Sequence, residues 1–573
     1  AAVQNYPDLK GQKSNLYKCF IPQAWMIGNK TGISSFIQQN GIFNEKKGDL
    51  FRSKVYTKLL KHFSFINEMK LFINVDHSTD FSINIYTNKT KSKVNFDMIS
   101  NLFSPLTVDA CYSSSGKEPV EGIKDSNNNW NLKGHKDRIV NITNKELKIL
   151  SLLLDNSEDY LSASLLSLHT KTLLQIITKI YTNNNMYIRD CETILSTHLN
   201  ETKFEKDGTI KKTSLFPESN SDIVLSGPNV SIANPFFQSM GPKNNKDNYK
   251  LIDLLNISKD YSQKTSYKFV KKSIDSLMIN PVSPWGEKYL DNYRLVSREF
   301  IDPQQERTLL PCIIIPKVYH IYTLIGCMFK NTHELILSSG LWASLPFDFI
   351  VKILDKSHFI HQSAKGLPMI KQSPLSRAIC CRSLKLNCLT QEYDGLLKAA
   401  PDDYFIGETW SKQDPRLAPG RLSDKPRTWN WDFPLRTNYE RRQALVEIDV
   451  LTSMALGLTL EDLKTIYRLQ FHVLQKSEAN TWYDQRGRVV FSVSKGLTNL
   501  NFTTNGWEAI KNKTSGTVIK TFIDETQPSG PVERTIELFL PFDRCDRERD
   551  YDAAWSFFEE KFRKSAPFKP KRS

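Results

Sequence analysis

The sequence has no paired cysteines of the kind that hold a zinc ion. Its nine cysteines are scattered and odd in number, and they never form the C-x2-C spacing of structural zinc sites. Cys380, Cys381 and Cys388 would need further ligands, and the ten histidines are dispersed. We therefore assign no metal-binding residue and expect reduced thiols, as in a cytosol.

Long apolar runs are also absent. No stretch of about 18 apolar residues occurs, which is the length that a membrane-spanning helix needs. The start of the sequence lacks the basic and then apolar pattern of a secretion signal. The sequence therefore predicts no contact with a membrane and a cytoplasmic location.

Two motifs of nucleotide chemistry are missing as well. No Gly-x-Gly turn lies between a strand and a helix, so the sequence shows no cradle for a cofactor. Asn234-Pro235-Phe236-Phe237 lacks the second proline of the Asn-Pro-Pro-aromatic loop that holds an adenine rotated out of a duplex. We interpret it as a turn with both phenylalanines packed inward. No catalytic and no cofactor-binding residue is assigned.

What is present is typical of a globular protein. The composition is 40% hydrophobic, 11% aromatic and 24% charged, which is sufficient for hydrophobic cores and argues against wholesale disorder. A chain of 573 residues is too long for one compact core. At roughly 150 residues per domain, this length suggests about three or four domains.

The charge balance favours an anionic partner. Lysine and arginine total 77 against 62 aspartate and glutamate, a formal net charge of +15. Nucleic acid is the first candidate for such a partner. A lysine-rich composition without any polymer ligand gives the same totals, so charge alone leaves both interpretations open.

The first 110 residues carry alternating helix and strand signals. Leu16, Phe20 and Trp25 lie near helical spacing, and the apolar run of 32–39 predicts a strand. A helix is predicted from Asp49, followed by alternating strand patterns up to Tyr86. This pattern indicates the tail of an open α/β sheet that ends in an antiparallel hairpin.

Three further regions follow along the chain. We assign 111–222 to a polar linker and a helical segment, with Thr143 and Glu146 as a capping box and helix over about 140–183. Short apolar runs with many prolines and glycines predict an irregular α+β region over 223–383.

The last region, 384–573, predicts a helical hairpin and a β-hairpin. Thr459 and Asp462 cap its second helix, and 484–487 is a hairpin turn. Arg441 and Arg442 precede a strongly apolar helix, and we interpret them as its exposed basic start.

The order of these pieces resembles a known family. "NLYKCFIPQAW", "GISSFIQQNGIF", "GDLFRSKVYTKLL" and "FSINIY" are similar to the segments that follow the catalytic loop in large adenine-specific DNA methyltransferases. These are the single-chain enzymes of type IIG restriction-modification and BREX-like phage-defence systems. "NYRLVSREFIDPQQERTLLPCIIIPKVYHI" and "NYERRQALVEIDVLTSMALGL" resemble their target-recognition and C-terminal helical parts.

The resemblance implies a fold and an activity. It implies the C-terminal part of a Rossmann-like methyltransferase sheet, followed by recognition regions in a multidomain chain. The family transfers a methyl group from S-adenosylmethionine to the exocyclic amine of adenine in double-stranded DNA. It places its cofactor turn and catalytic loop before the "NLYKCF" helix, upstream of Ala1. The chain alone is therefore expected to be inactive and to retain mainly target recognition, alongside other restriction or phage-defence subunits.

Five basic residues of the recognition region are candidates to face DNA. They are Arg294, Arg298, Arg307, Lys271 and Lys272. Arginine can read a guanine edge with two hydrogen bonds, whereas lysine more often binds the phosphate backbone. A solvated surface charge, or an ion pair with a neighbour such as Glu299 or Glu306, is the equally weighted alternative for each arginine.

Two other functions remain open at this point. The chain can be a complete, non-catalytic DNA-binding specificity subunit of a restriction or phage-defence system. It can also be a basic scaffold that binds other proteins. Salt-dependent binding to duplex DNA separates the methyltransferase fragment and the specificity subunit from the protein scaffold.

Overall fold

The computed structural model describes residues 2–563, except for 13–14, 46, 126, 128, 153–158, 185, 242–247, 271–279, 303–304, 355–357, 498–499 and 501. Over this part of the chain, the protein is a mixed α/β, multidomain molecule with several sheets and many helices. The predicted fold class, an α/β region followed by helical and irregular α+β regions, is confirmed at this level.

The N-terminal part of the chain forms a five-stranded mixed sheet. Its strands are β1 (Ile33–Gln39), β2 (Leu59–Ile66), β3 (Asp80–Thr87), β4 (Asn95–Leu102) and β5 (Val140–Thr143). They lie in the order β1-β3-β2-β4-β5. β3 is antiparallel to both β1 and β2, and β4 is parallel to β2. β1 and β2 therefore run in the same direction, with the hairpin strand β3 inserted between them.

Short helices connect and cover this sheet. They are α1 (Ala2–Asn5), α2 (Leu16–Ile27), α3 (Gly41–Asn44), α4 (Asp49–Lys58) and α5 (Leu106–Ser113). α2 and α4 lie where the sequence predicts helices. α4 has Asp49 in its first turn and Lys58 in its last turn, and both charges favour the helix dipole. It buries Phe51 and Val55 in the core.

The sheet continues past residue 110, where the sequence analysis ends its first region. β5 pairs with β4 in antiparallel register. It is followed directly by α6 (Asn144–Leu150), whose capping box of Thr143 and Glu146 is formed as predicted. The next helix, α7, is Lys171–Asn183. The prediction of helix over about 140–183 is therefore wrong for β5, which is too short to show a period of its own, and for 163–170, which is not helical. Residues 153–158 of that range lie outside the described residues.

The outer edge of β1 carries no charge. Among the described residues β1 pairs only with β3. Its seven residues, ISSFIQQ, include neither a charged residue nor proline, and Ile33 and Ile37 are 70% and 63% exposed. On the neighbouring α2, Leu16 and Phe20 are also exposed. Natural sheets normally protect such an edge with charge, proline or a covering segment.

The middle of the chain has many short strands. One sheet has the order β13-β12-β15-β6, a second has β14-β8-β11-β7, and β9 pairs with β10. The strands are β6 (Thr193–Ser196), β7 (Ile210–Lys212), β8 (Ile223–Leu225), β9 (Gln238–Met240), β10 (Tyr249–Leu251), β11 (Tyr267–Phe269), β12 (Arg294–Arg298), β13 (Pro311–Ile314), β14 (Tyr319–His320) and β15 (Leu324–Phe329). Helix α8 (Glu201–Lys206) precedes β7. This is the irregular region that the frequent prolines and glycines predict.

A group of helices packs behind these sheets. They are α9 (Thr332–Ala343), α10 (Leu345–Lys352), α11 (His361–Lys365), α12 (Pro374–Asn387), α13 (Asp394–Ala399), α14 (Asn438–Ala455), α15 (Leu460–Gln470) and α16 (His472–Ala479). α12 packs against α9 and α14. The predicted cap of Thr459 and Asp462 begins α15. No single described helix is long and apolar enough to cross a bilayer, and α9 with α10 passes that test only as a pair bent by 70°.

The last region adds two β-ribbons and a long helix. They are β16 (Trp482–Tyr483), β17 (Val489–Phe491), α17 (Thr504–Glu508), β18 (Thr517–Asp524), β19 (Val532–Phe539) and α18 (Arg547–Arg563). The predicted turn at 484–487 joins β16 to β17, and Gly487 takes a φ of +82° there. A small aromatic core around Trp507 supports both ribbons.

One large apolar core connects nearly all of these parts. It extends from Leu9 near the N-terminal sheet to Phe558 in α18. Three smaller clusters lie beside it, under the sheet of β7 and β11, on one face of the N-terminal sheet and under the ribbons. The sheets and helices are thereby fixed relative to one another, which positions the cleft described next.

Candidate nucleic-acid interface

A cleft of about 840 Å³ opens between the irregular β region and the C-terminal helices. One side is formed by parts of 228–254 and 298–310, and the other by residues of α14 and α16, by 493–497 and by Arg547. Its lining therefore comes from widely separated parts of the sequence. The fold brings them together through the shared core behind both walls.

Basic side chains outnumber acidic ones along this cleft. The basic residues are Arg298, Arg307, Arg436, Arg441, Arg442, Arg547, Lys476 and Lys495. The acidic residues are Asp253, Asp302, Glu306 and Glu478. Protein walls of low dielectric concentrate the field of such charges, so the cleft attracts anions.

Three of these arginines, in the part of the chain that the structure describes, donate hydrogen bonds only to main-chain carbonyls. The guanidinium groups of Arg298 and Arg436 also lie over the rings of Phe237 and Trp431, at 5.6 and 3.4 Å from the ring centres. Arg298 donates from Nε and Nη2 to the carbonyl of Val230, at 3.2 and 3.0 Å. Arg436 and Arg441 each donate to three carbonyls, those of Leu254, Leu389 and Trp431, and those of Ala233, Leu386 and Leu435, respectively. Carbonyl groups satisfy the donors but carry no net charge, so three positive charges are left without a carboxylate.

Burial affects the acidity of these three guanidinium groups. It lowers the pKa of Arg298 and of Arg441 to about 10, because the charged form loses its hydration. It lowers the pKa of Arg436 to about 9, and the nearby positive charge of Arg441 adds to the effect. All three remain protonated at neutral pH. An anion in the cleft would recover part of the hydration energy that these charges lose.

Other arginines of the cleft are paired with carboxylates. Arg442 donates to Glu478 at 2.9 Å and to Asp550 at 2.6 Å. Arg547 donates to Glu478 at 2.9 Å and to Asp449 at 2.7 Å. The two guanidinium groups outweigh the effect of burial on Glu478 and lower its pKa to about 2. These buried pairs join α14, α16 and α18 and form a rigid part of the wall.

Arg307 binds both a carboxylate and a main-chain carbonyl. Its Nε forms a buried ion pair with Asp348, and its Nη2 donates to the carbonyl of Ala343 at 2.7 Å. The same carboxylate accepts from the main-chain N–H groups of Thr308 and Leu309. Nη1 of Arg307 has no hydrogen-bond partner among the described residues. Arg307 is therefore held in place by one side of its guanidinium group.

The structure separates the five residues that the sequence analysis selected. Arg298 and Arg307 line the cleft together. Arg294 is fully buried elsewhere, where it donates to the carbonyls of Ile315 and Val318 at 3.0 and 2.8 Å. Arg294 is thus a structural residue, which corrects its assignment as a DNA-facing one. Lys271 and Lys272 lie outside the described residues.

The acidic neighbours considered as ion-pair partners bind other groups. Glu299 accepts from His358 at 2.9 Å. Glu306 accepts from the hydroxyl groups of Ser477 and Ser494, at 2.5 and 3.0 Å. Neither carboxylate pairs with an arginine among the described residues, so Glu306 leaves the cleft arginines uncompensated.

The segment Asn234-Pro235-Phe236-Phe237 is a turn, as the sequence indicates. Asn234 accepts from the main-chain N–H of Phe236 at 3.0 Å, and Phe236 and Phe237 are 7% and 8% exposed. The preceding Ala233 has a φ of +47°, and Arg441 binds its carbonyl at 2.8 Å. Asn234 and Phe237 line the cleft. The turn is therefore part of the cleft wall, with its conformation fixed from the other side by Arg441.

Sequence reasoning missed most of the basic residues of the cleft. It placed Arg441 and Arg442 on an exposed helix start, but they are only 9% and 8% exposed. Arg436, Lys476, Lys495 and Arg547 were not singled out. The available signal was the close spacing of Arg436, Arg441 and Arg442 ahead of an apolar helix, since arginines at a helix start next to buried segments can bind carbonyls of those segments.

The cysteine and histidine side chains offer no second site. Among the described residues no three metal-ligating side chains of the His, Cys, Asp and Glu types cluster. Cys381 and Cys388 are fully buried, and burial raises the pKa of Cys381 to about 12. Such a thiol is not a nucleophile at neutral pH.

Two of the solved structures that are similar to this chain are restriction-modification enzymes. No family model and no curated protein matches the sequence. The type IIG restriction endonuclease BpuSI is 11% identical over 80% of this chain and 51% of its own, with a TM-score of 0.25. The type IIL restriction-modification enzyme MmeI, solved in complex with DNA, is 10% identical over 83% of this chain and 54% of its own, with a TM-score of 0.35. The chain thus spans about half the length of each.

Proposed function

We propose that this chain is the DNA-recognising part of an adenine-specific DNA methyltransferase of the type IIG restriction-modification kind. The observation that carries the proposal is the cleft in which Arg298, Arg436 and Arg441 keep their charge without a carboxylate partner among the described residues. A desolvated, uncompensated positive charge is costly unless an anionic ligand occupies the site.

DNA is the anion that fits the rest of the molecule. The formal net charge of the chain is +15, and nucleic-acid affinity comes largely from neutralised phosphates. Exposed Lys476 and Lys495 at the cleft have no carboxylate partner in the described ranges. Arginine can bind phosphate or read a base edge, whereas lysine more often binds phosphate.

The methyl-transfer half of the proposed activity requires groups from another part of the enzyme. The described sheet offers no glycine-rich turn between a strand and a helix, so these residues do not fit S-adenosylmethionine. We propose that the cofactor-binding part pairs with the uncharged edge of β1. That edge supports the methyltransferase proposal over a specificity subunit that is complete by itself.

Binding to duplex DNA at different salt concentrations tests the proposal. We expect fluorescence anisotropy to show an affinity that falls steeply between about 50 and 200 mM salt. Arg298→Ala is expected to weaken binding or relax site choice, whereas Lys30→Ala, on an exposed loop outside the cleft, is expected to change neither. Binding that is absent at low salt, or independent of salt, would exclude a DNA-recognising part and favour a protein scaffold.

A further inference from the structure

We infer that the cleft binds one unpaired nucleotide, with its phosphate on the arginines and its base on the amide side chains. This ligand extends the proposed function, because it occupies the same cleft. Only the source of the nucleotide depends on that proposed function. The shared chemistry is a nucleoside carrying a phosphate group. It can come from a nucleic-acid strand or from a free nucleotide.

The size of the cleft sets the first limit. Its volume of about 840 Å³ lies within the range of roughly 300–1,000 Å³ that is typical of small-ligand sites. The cleft therefore has room for one nucleotide.

The phosphate half of the site is formed by arginines with free donors. Arg298 uses Nε and Nη2 for the Val230 carbonyl, and Arg307 uses Nε and Nη2 for Asp348 and Ala343. In both residues Nη1 has no partner in the described part of the chain. The bonds already made fix the orientation of each guanidinium group, so little rotamer entropy is lost when Nη1 binds a phosphate oxygen.

The base half of the site is formed by three amide side chains. Asn234 and Asn438 each use the side-chain oxygen for a main-chain N–H, of Phe236 and Val489 respectively. Their amide nitrogens, and the whole amide group of Gln238, have no partner among the described residues. All three residues are half-buried and line the cleft. Asparagine and glutamine are the side chains that pair with the edge of adenine.

The acidic residues of the cleft do not cancel this arrangement. Glu478 is held by Arg442 and Arg547, and Asp253 accepts from Arg488 at 2.6 Å. The carboxylate of Glu306 is held by two serine hydroxyl groups, and that of Asp302 accepts from the amide of Gln305 at 3.2 Å. These carboxylates are directed into pairs of their own, and Arg298 and Arg441 remain free of them.

Isothermal titration of the full chain with three probes tests the inference. The probes are adenosine 5′-monophosphate, adenosine and inorganic phosphate. We expect the monophosphate to bind about tenfold or more tightly than adenosine, because a charge-assisted phosphate contact contributes at least that factor. Gln238→Ala is expected to weaken the monophosphate several-fold and to leave inorganic phosphate unchanged. Lys30→Ala serves as the control outside the cleft.

Two DNA probes identify the source of the nucleotide that the cleft binds. A duplex with one bulged adenine is compared with the same duplex without the bulge. If the bulged duplex binds more tightly and the monophosphate displaces it, the nucleotide belongs to a nucleic-acid strand. If the monophosphate binds but the bulge makes no difference, the ligand is a free nucleotide. If the monophosphate does not bind at millimolar concentration and the bulge has no effect, the inference is wrong, even where salt-dependent duplex binding upholds the proposed function. Arg298→Lys, which keeps the charge, controls for unfolding of the Arg298→Ala variant used in the duplex titrations.

Discussion

Arg442 donates a hydrogen bond to Glu478 at 2.9 Å in the wall of the basic cleft. Arg547 donates to both oxygens of the same carboxylate, at 2.9 and 3.0 Å. Glu478 is thus shared by two guanidinium groups that belong to α14 and α18. Its role is to hold these helices against α16, because both arginines are directed away from a ligand and towards the carboxylate.

Glu478→Gln tests this structural role. The change leaves two buried guanidinium groups without their shared charge, and breaking a buried pair in this way costs about 3–5 kcal/mol. We expect the free energy of unfolding to fall by that amount in urea or guanidinium denaturation at pH 7. Glu559→Gln, in an exposed pair with Arg563, is the control and should change it by less than about 1 kcal/mol. Equal effects of the two changes would contradict the shared pairing.

The same carboxylate predicts a dependence of stability on pH. Burial favours the protonated form of Glu478, but Arg442 and Arg547 outweigh it and hold the folded-state pKa at about 2, below the ordinary value of 4.5. The contribution of Glu478 is therefore complete above pH 4.5 and is lost as the pH falls towards 2. Across this window, unfolding free energy should fall more steeply for the wild type than for Glu478→Gln. Parallel curves would show that the pKa is not lowered.

Lys476→Ala and Lys495→Ala should each remove one phosphate contact. Both side chains are exposed at the cleft, and we expect each change to reduce the slope of log affinity against log salt concentration by about 0.9. The loss should be similar for all duplex sequences, because backbone contacts do not read bases. Titrations at several salt concentrations measure the slope. A change in sequence preference with an unaltered slope would place these lysines on bases instead.

Arg294→Ala should lower stability without affecting DNA binding. The change leaves the carbonyls of Asn292, Ile315 and Val318 without their donor, and each unsatisfied buried group costs about 1–3 kcal/mol. Thermal unfolding measures the loss. The affinity of the folded fraction for duplex DNA should equal that of the wild type. A weaker affinity of folded protein would return Arg294 to the DNA-facing residues.

Gly134→Ala should destabilise the contact between α5 and the loop before β5. An added Cβ would lie 2.1 Å from the main-chain carbon of Ala110 and 2.3 Å from the nitrogen of Cys111. Backbone atoms cannot move aside as a side chain can, so we expect a loss of about 1–3 kcal/mol or more. Gly227→Ala is the matched control, since its nearest neighbour is 3.7 Å away. Similar melting temperatures for both variants would contradict the tight packing.

The sequence correctly predicted helix starts and turns whose structure depends on neighbouring residues in the chain. The capping boxes of Thr143 with Glu146 and of Thr459 with Asp462 begin helices as expected. The turn ending at Gly487 was found for the same reason, because turn residues act through their own backbone. β5 was missed, since a four-residue strand is specified by its partner β4 and not by its own pattern.

The cleft could be predicted only in part. Arg298 and Arg307 were selected because of their spacing within one region, and both line the cleft. Arg294 lies four residues before Arg298 on the same strand, but its acceptors Ile315 and Val318 come from distant residues that the sequence does not link to it. Arg441 was read as exposed for the same reason, because its acceptor at Ala233 lies far away in the chain.

The continuous core from Leu9 to Phe558 limits how the protein can be re-engineered. A chimera that exchanges 223–383 as a block would cut through side-chain packing on both of its borders and would be expected to misfold. Grafting shorter loops is the more promising route to altered specificity. The turn of 231–238 contributes Asn234, Phe237 and Gln238 to the cleft. Its main chain is also held by Arg441, Pro311 and Gln263, so a graft at this turn has to keep those contacts.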